Sequence, residues 1–206
     1  MPDTLLQGVL AGLLQPLFGI AYLAAFLAVG MIAAAQPLGW LIGLVFSAGL
    51  LVGALLQVME RVVPGADALI ALSVVLLGAL LVRALPVRAG IVMVVLAFAG
   101  TLQGYGLTSF ASGAQEAALY GYLTGMLLIQ LLISYGAMLP MPWMKARTWF
   151  QPIWIRLIGA GIVGIGLTLL VDQLTAGAPP TEEEEEGAQV SAVVTVPMHR
   201  SPMEWI

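Results

Sequence analysis

Residues 38–58 read LGWLIGLVFSAGLLVGALLQV, twenty-one residues without a single charge. A helix at the surface of a soluble protein has one apolar face, whereas this run is apolar all round and has the length needed to cross about 30 Å of hydrocarbon. It predicts a transmembrane helix. Five further runs of the same character surround it, at about 6–33, 66–85, 89–108, 117–138 and 153–172. The breaks between them have local causes: Gln36-Pro37, then Glu60-Arg61 with Pro64-Gly65, then Leu85-Pro86-Val87-Arg88. Two connections are longer. One is a Ser/Gly/Gln loop over 109–116; the other, Leu139 to Pro152, carries Pro140, Pro142, Trp143 and Trp149, and its amphipathic rings suit the membrane interface. The expected fold is an all-α integral membrane protein. A bundle of about six transmembrane helices fills residues 1–176, and an acidic C-terminal tail follows over 177–206.

Composition agrees. Of 206 residues 61% are hydrophobic and 9% charged, with a mean hydropathy of +1.03, against about one quarter charged in a soluble domain. No sizeable soluble domain fits. Cysteine is absent, which excludes disulfides, thiolate metal sites and cysteine nucleophiles, and the single histidine, His199, lies in the tail. The net charge of −4 is concentrated there too: residues 177–206 hold six acids and one base, leaving six bases against five acids in the body. Arg83, Arg88, Lys145, Arg147 and Arg156 fall in alternate loops, while Arg61 and Arg200 fall on the other side, so the first set is expected to be cytoplasmic. Both termini are then non-cytoplasmic. All the acids, from Asp3, Glu60, Asp67, Glu116 and Asp172 to the tail, would make the outer face negative. Met1-Pro2-Asp3 lacks the basic start and cleavage site of a signal peptide and reads as a short tail translocated with the first helix.

Polar side chains inside a span are costly and therefore informative. The first run has Gln7, Gln15 and Tyr22; the second Ser47 and Gln57; the fourth Thr101, Gln103 and Tyr105; the fifth Tyr120, Tyr122, Thr124, Gln130, Ser134 and Tyr135. Gln15 and Gln103 would sit at similar depth toward the outer face, forming with Tyr22 and Tyr105 a candidate polar pocket. Gln130, about 20 Å from that face, would not share their layer. The same residues suit interhelical hydrogen bonding equally well. Glycines recur at helical spacing: Gly8 with Gly12, Gly39 with Gly43, Gly100 with Gly104, Gly121 with Gly125, and the series Gly159, Gly161, Gly164, Gly166. Such pairs let helix backbones approach closely, within the bundle or against another chain.

Gln15-Pro16-Leu17-Phe18-Gly19-Ile20-Ala21-Tyr22, followed by Ala28-Val29-Gly30, resembles the first helix of the HupE/UreJ family; Gln103-Gly104-Tyr105 resembles its fourth helix, Gly113-Ala114-Gln115 the loop after it, and Arg156 to Gly161 its Gly-rich last span. The resemblance covers about residues 8–172. It implies the fold of membrane proteins associated with hydrogenase and urease maturation and regarded as nickel permeases. Where the family places the His, Asp and His of its first helix, this chain has Gln15, Ala21 and Tyr22; Gln103 stands for the helix-four His and Gln115 for a loop acid. Neutral amide oxygens are weaker donors to Ni²⁺ than imidazole and carboxylate, and alanine offers none. The resemblance therefore implies the frame without its metal ligands.

No phosphate-cradling loop, nucleophile triad, paired membrane carboxylates or basic nucleic-acid patch is present, so no catalytic residues, enzymatic activity, cofactor or nucleic-acid partner are expected. The expected function is that of an accessory or structural subunit of a larger membrane complex, in a bacterial inner or photosynthetic membrane. Partners would be lipid and other membrane subunits. The tail, with Glu182, Glu183, Glu184, Glu185 and Glu186, a β-prone stretch at Val190 to Val196 and the apolar end Trp205-Ile206, would dock a partner; a solvated tail explains the same glutamates. The alternative is a permease for nickel, another divalent cation or a small solute. A weaker alternative is binding of pigment or lipid.

Overall fold

The computed structural model describes residues 4–36, 38–83, 88–111, 115–139 and 151–176. Among them are seven α-helices, one short 3₁₀ turn and no strand: α1 Leu5–Phe18, α2 Ile20–Ala35, α3 Gly39–Val58, α4 Ala66–Arg83, α5 Ala89–Thr108, the turn Ser109–Ala111, α6 Glu116–Met138 and α7 Gln151–Ala176. Lipid offers backbone N–H and C=O groups no partner, so long apolar runs must close their hydrogen bonds internally, as helices. α3 to α6 and Ile153–Thr175 of α7 are each long and apolar enough to cross a membrane. The helices up to Gln173 belong to one unit, and the last residues of α7 fall in a second, Leu174–Ile206. Pro37, Leu85-Pro86-Val87, Gly113-Ala114, the Trp143 and Trp149 segment with Lys145 and Arg147, and the tail with His199, Glu182 to Glu186 and Trp205 lie outside the described residues.

The first apolar run departs from expectation. In place of one helix over 6–33 there are two, bent by 87° at Gly19, and only as a pair do they meet the criteria of a sixth crossing. The cause is local. Pro16 has no N–H to return to the Gly12 carbonyl, and Gly19 takes an extended conformation, φ −94° and ψ 104°, that ends α1 and starts α2. A Cβ on Gly19 would run into the Tyr22 ring, so glycine permits the corner.

α2 occupies the centre. Nine of its 16 residues are buried, which fits a helix apolar on every side. It packs against α3, α4 and α6, and the Phe26 ring meets Phe46 of α3 edge-on, centroids 5.9 Å apart. Around it stand the two helix pairs with the most extensive packing among the described residues, α3 with α5 and α1 with α6. Both run parallel and both are glycine seams. A Cβ on Gly49 or Gly53 would strike the Ala97 or Thr101 carbonyl, and one on Gly100 or Gly104 the Phe46 or Leu50 carbonyl. In the second pair Gly8 and Gly12 abut Ala118 and Tyr122, while Gly121 and Gly125 abut Leu5 and Val9. With no hydrophobic force between helices in lipid, such contacts act through dispersion and Cα–H···O attraction. α4 and α7 meet antiparallel, Gly78 against Gly159 and Val163, Gly166 against Ala71 and Val75.

The α3–α4 connection contains one strained residue. The Glu60 and Arg61 N–H groups donate to the Gln57 and Leu56 carbonyls at 2.9 and 3.0 Å, closing α3 in the pattern that usually places glycine at the left-handed position. Here Glu60 takes it, with φ +54°. Glu60→Gly is expected to stabilise the protein by about 0.5–1 kcal/mol, read as a higher melting temperature in detergent. An unchanged or lower value would mean that the Glu60 side chain contributes contacts offsetting its strain.

Candidate functional site

At the C-terminal end of α5 four helices bring polar groups into an otherwise apolar interior. Gln103 is fully buried, and its Nε2 donates to the Ser73 Oγ of α4 at 3.0 Å. Ser73 in turn donates its one proton to the Ile70 carbonyl at 2.7 Å. Because that proton is committed, Ser73 can only accept from Gln103, which fixes the amide with Nε2 toward α4. The other end of the amide, Oε1, is buried without a partner.

One turn further on, Gly106 leaves room for a neighbouring helix: a Cβ there would lie 2.8 Å from the Tyr22 hydroxyl of α2 and 2.6 Å from Ile70 Cδ1. Tyr122 of α6 donates its hydroxyl to the Leu107 carbonyl at 2.6 Å. Tyr22 is within electrostatic range of both Tyr122 and Asp67, the latter in the first turn of α4. Thr108 is 1% exposed, and its Oγ1 is also without a partner. That is unusual among the described residues, where Ser73, Thr101, Ser109, Thr124 and Thr168 all donate back to a carbonyl three or four residues earlier.

The expected pocket residues are only partly assembled. Tyr22 and Gln103 lie at this junction, a turn of α5 apart. Gln15 is partly exposed on α1, the helix paired with α6, and the Gln103 amide bonds to Ser73 instead. Tyr105 turns toward the α3–α4 connection, where its hydroxyl accepts from the Val63 N–H at 3.4 Å. Ser73 and Thr108 escaped the sequence reading because single hydroxyls in apolar helices are common; only the neighbouring Gln103 gives them significance. Gln15→Leu is expected to leave the melting temperature unchanged or slightly raised, since the amide has no hydrogen-bond partner among the described residues. A drop of several degrees would show that Gln15 has a polar partner.

Gln130 belongs to a separate and fully satisfied network. Its Oε1 accepts from Ser47 of α3 at 2.6 Å, its Nε2 donates to Ser134 at 3.2 Å, and Ser134 donates to the Phe26 carbonyl of α2 at 3.1 Å. It ties α6 to α2 and α3. Tyr135 adds a further bond from α6 to α3, donating to the Trp40 carbonyl at 2.8 Å.

Among the described residues no three His, Cys, Asp or Glu side chains come together as a metal-holding group. The donors where a family likeness would seek ligands are amide oxygens at Gln15 and Gln103, a phenol at Tyr22 and nothing at Ala21. The family model HupE / UreJ protein matches residues 2–169. No curated protein and no solved structure matches the chain. The match spans most of the sequence, and the chain belongs to the HupE/UreJ family.

Proposed function

We propose that this HupE/UreJ family member is a non-enzymatic protein that has lost the transition-metal site and serves as an accessory or structural subunit of a larger membrane complex. The observation that carries this reading is the chemistry at the α5 junction. A divalent first-row metal favours imidazole and carboxylate, whereas Gln103 offers one neutral oxygen and spends its nitrogen on Ser73. Retention of the frame supports a role in assembly. So does α7, 17% of whose spanning window is buried against 39–50% in α3 to α6, with Gly161 and Gly164 meeting nothing within 4 Å. In this reading the tail, with Glu182 to Glu186 and Trp205, docks the partner on the non-cytoplasmic side.

Solubilisation from native membranes in mild detergent tests it: the protein is expected to migrate with other subunits, and a bare monomer would overturn the subunit role. The corner at Gly19 favours one other reading, since interrupted helices commonly build transport sites. In that case the protein is a permease for a divalent cation or small solute. Nickel uptake in cells lacking other nickel transporters, abolished by Gln103→Leu, would establish it and displace the first proposal.

A further inference from the structure

We infer that the junction of α2, α4, α5 and α6 binds a small monovalent cation, of the alkali or ammonium class, against the free Oε1 of Gln103. A bare carbonyl oxygen enclosed in an apolar membrane interior loses its hydration without compensation, so a buried acceptor of this kind calls for a donor or a positive charge. The fixed amide orientation makes the group purely an acceptor. Tyr122 has given its proton to the Leu107 carbonyl and keeps only lone pairs, and the Thr108 and Tyr22 hydroxyls, each with one proton, carry oxygens that can turn their lone pairs to a cation. The C-terminal end of α5 contributes the negative end of its helix dipole. At this end of the bundle, where α3 and α5 finish and α4 and α6 begin, the exposed charges among the described residues are Glu60, Asp67, Glu116 and Asp172 against Arg61.

The ligand class follows from that donor set. Anions are disfavoured by the lone pairs and by the acidic rim. Ni²⁺ and its neighbours favour nitrogen donors that are absent here. Neutral oxygens behind an acidic rim suit a singly charged, oxygen-preferring ion, or an ammonium ion that donates its hydrogens. The inference goes beyond the proposed subunit role and does not depend on a partner.

The test is thermal unfolding of the full-length protein, in detergent, in the chlorides of sodium, potassium, ammonium and choline at equal ionic strength. At about a hundredfold excess over Kd, at least one small cation is expected to raise the melting temperature by about 5–10 °C over choline. Gln103→Leu should remove that difference, whereas Gln15→Leu should keep it. Equal melting in all four salts would overturn the inference, and would leave a resident water as the donor to Oε1. The wild-type comparison suffices for this even if Gln103→Leu does not fold. A NiCl₂ arm separates the two proposals: stabilisation by Ni²⁺ alone would sink both this inference and the loss of the metal site, while failure of the monovalent arms leaves the subunit reading untouched.

Discussion

Replacing Gly53 or Gly104 with leucine is expected to abolish the folded protein, whereas Gly161→Leu leaves it intact. At Gly53 the new Cβ would meet the Thr101 carbonyl and lie 2.7 Å from the Tyr105 nitrogen; at Gly104 it would meet the Leu50 carbonyl and lie 2.7 Å from Leu50 Cα. These obstacles are backbone atoms inside helices, which cannot swing aside as a side-chain tip can. Relief requires α3 and α5 to separate along their whole seam, and with it goes the burial of Phe46, Leu50 and Leu96. Overpacking a flexible core costs about 1–3 kcal/mol; here the cost should exceed about 3 kcal/mol, a large part of the roughly 5–15 kcal/mol available to a folded chain. At Gly161 nothing lies within 4 Å. Size-exclusion profiles and melting curves of the three variants decide the matter. Normal folding of Gly104→Leu would mean that α3 and α5 do not approach as closely as described.

These seams show how much of the fold the sequence carried. Uncharged runs of bilayer length reveal the spans because lipid leaves the backbone no alternative to the helix. The pairs Gly8/Gly12, Gly100/Gly104 and Gly121/Gly125 stand out by spacing, yet spacing names a helix face and not its partner. Gly49 and Gly53, which complete the α3–α5 seam, stand at the same four-residue spacing and were passed over in a run that also holds Gly39 and Gly43. The corner at Gly19 had a length signal: a straight helix over 6–33 would measure about 42 Å, well beyond the hydrocarbon thickness of about 30 Å. Pro16 and Gly19 were visible as well, but each is tolerated singly in transmembrane helices. At the candidate site Gln103 and Tyr22 were legible as polar residues in spans. That Gln103 bonds to Ser73 and not to Gln15 was not, because hydrogen-bond choice depends on which helices become neighbours.

Gln130 supports the sharpest energetic prediction, since its effect depends on which partner is removed. Gln130→Leu keeps the volume similar and deletes two hydrogen bonds, one to Ser47 and one to Ser134. Neither serine is stranded: Ser47, released from Gln130, can turn its one proton to the Gly43 carbonyl 2.8 Å away, and Ser134 keeps its bond to the Phe26 carbonyl at 3.1 Å. At about 0.6–2 kcal/mol for the interhelical bond to Ser47 and about 0.5–1.5 kcal/mol for the bond to Ser134 within α6, the expected loss is about 1–3 kcal/mol. Ser47→Ala removes a single oxygen but leaves the Gln130 Oε1 fully buried with no donor, and an unsatisfied buried acceptor costs about 1–3 kcal/mol by itself. The smaller change should therefore destabilise as much as the larger one. In the Gln130→Leu background the same serine has no interhelical partner left to lose, so Ser47→Ala should there be nearly neutral. Melting temperatures of the two single variants and the double variant close this cycle. If the two losses simply add, Ser47 and Gln130 do not share a hydrogen bond, and the tie between α3 and α6 must come from the Tyr135 hydroxyl on the Trp40 carbonyl and from side-chain packing alone.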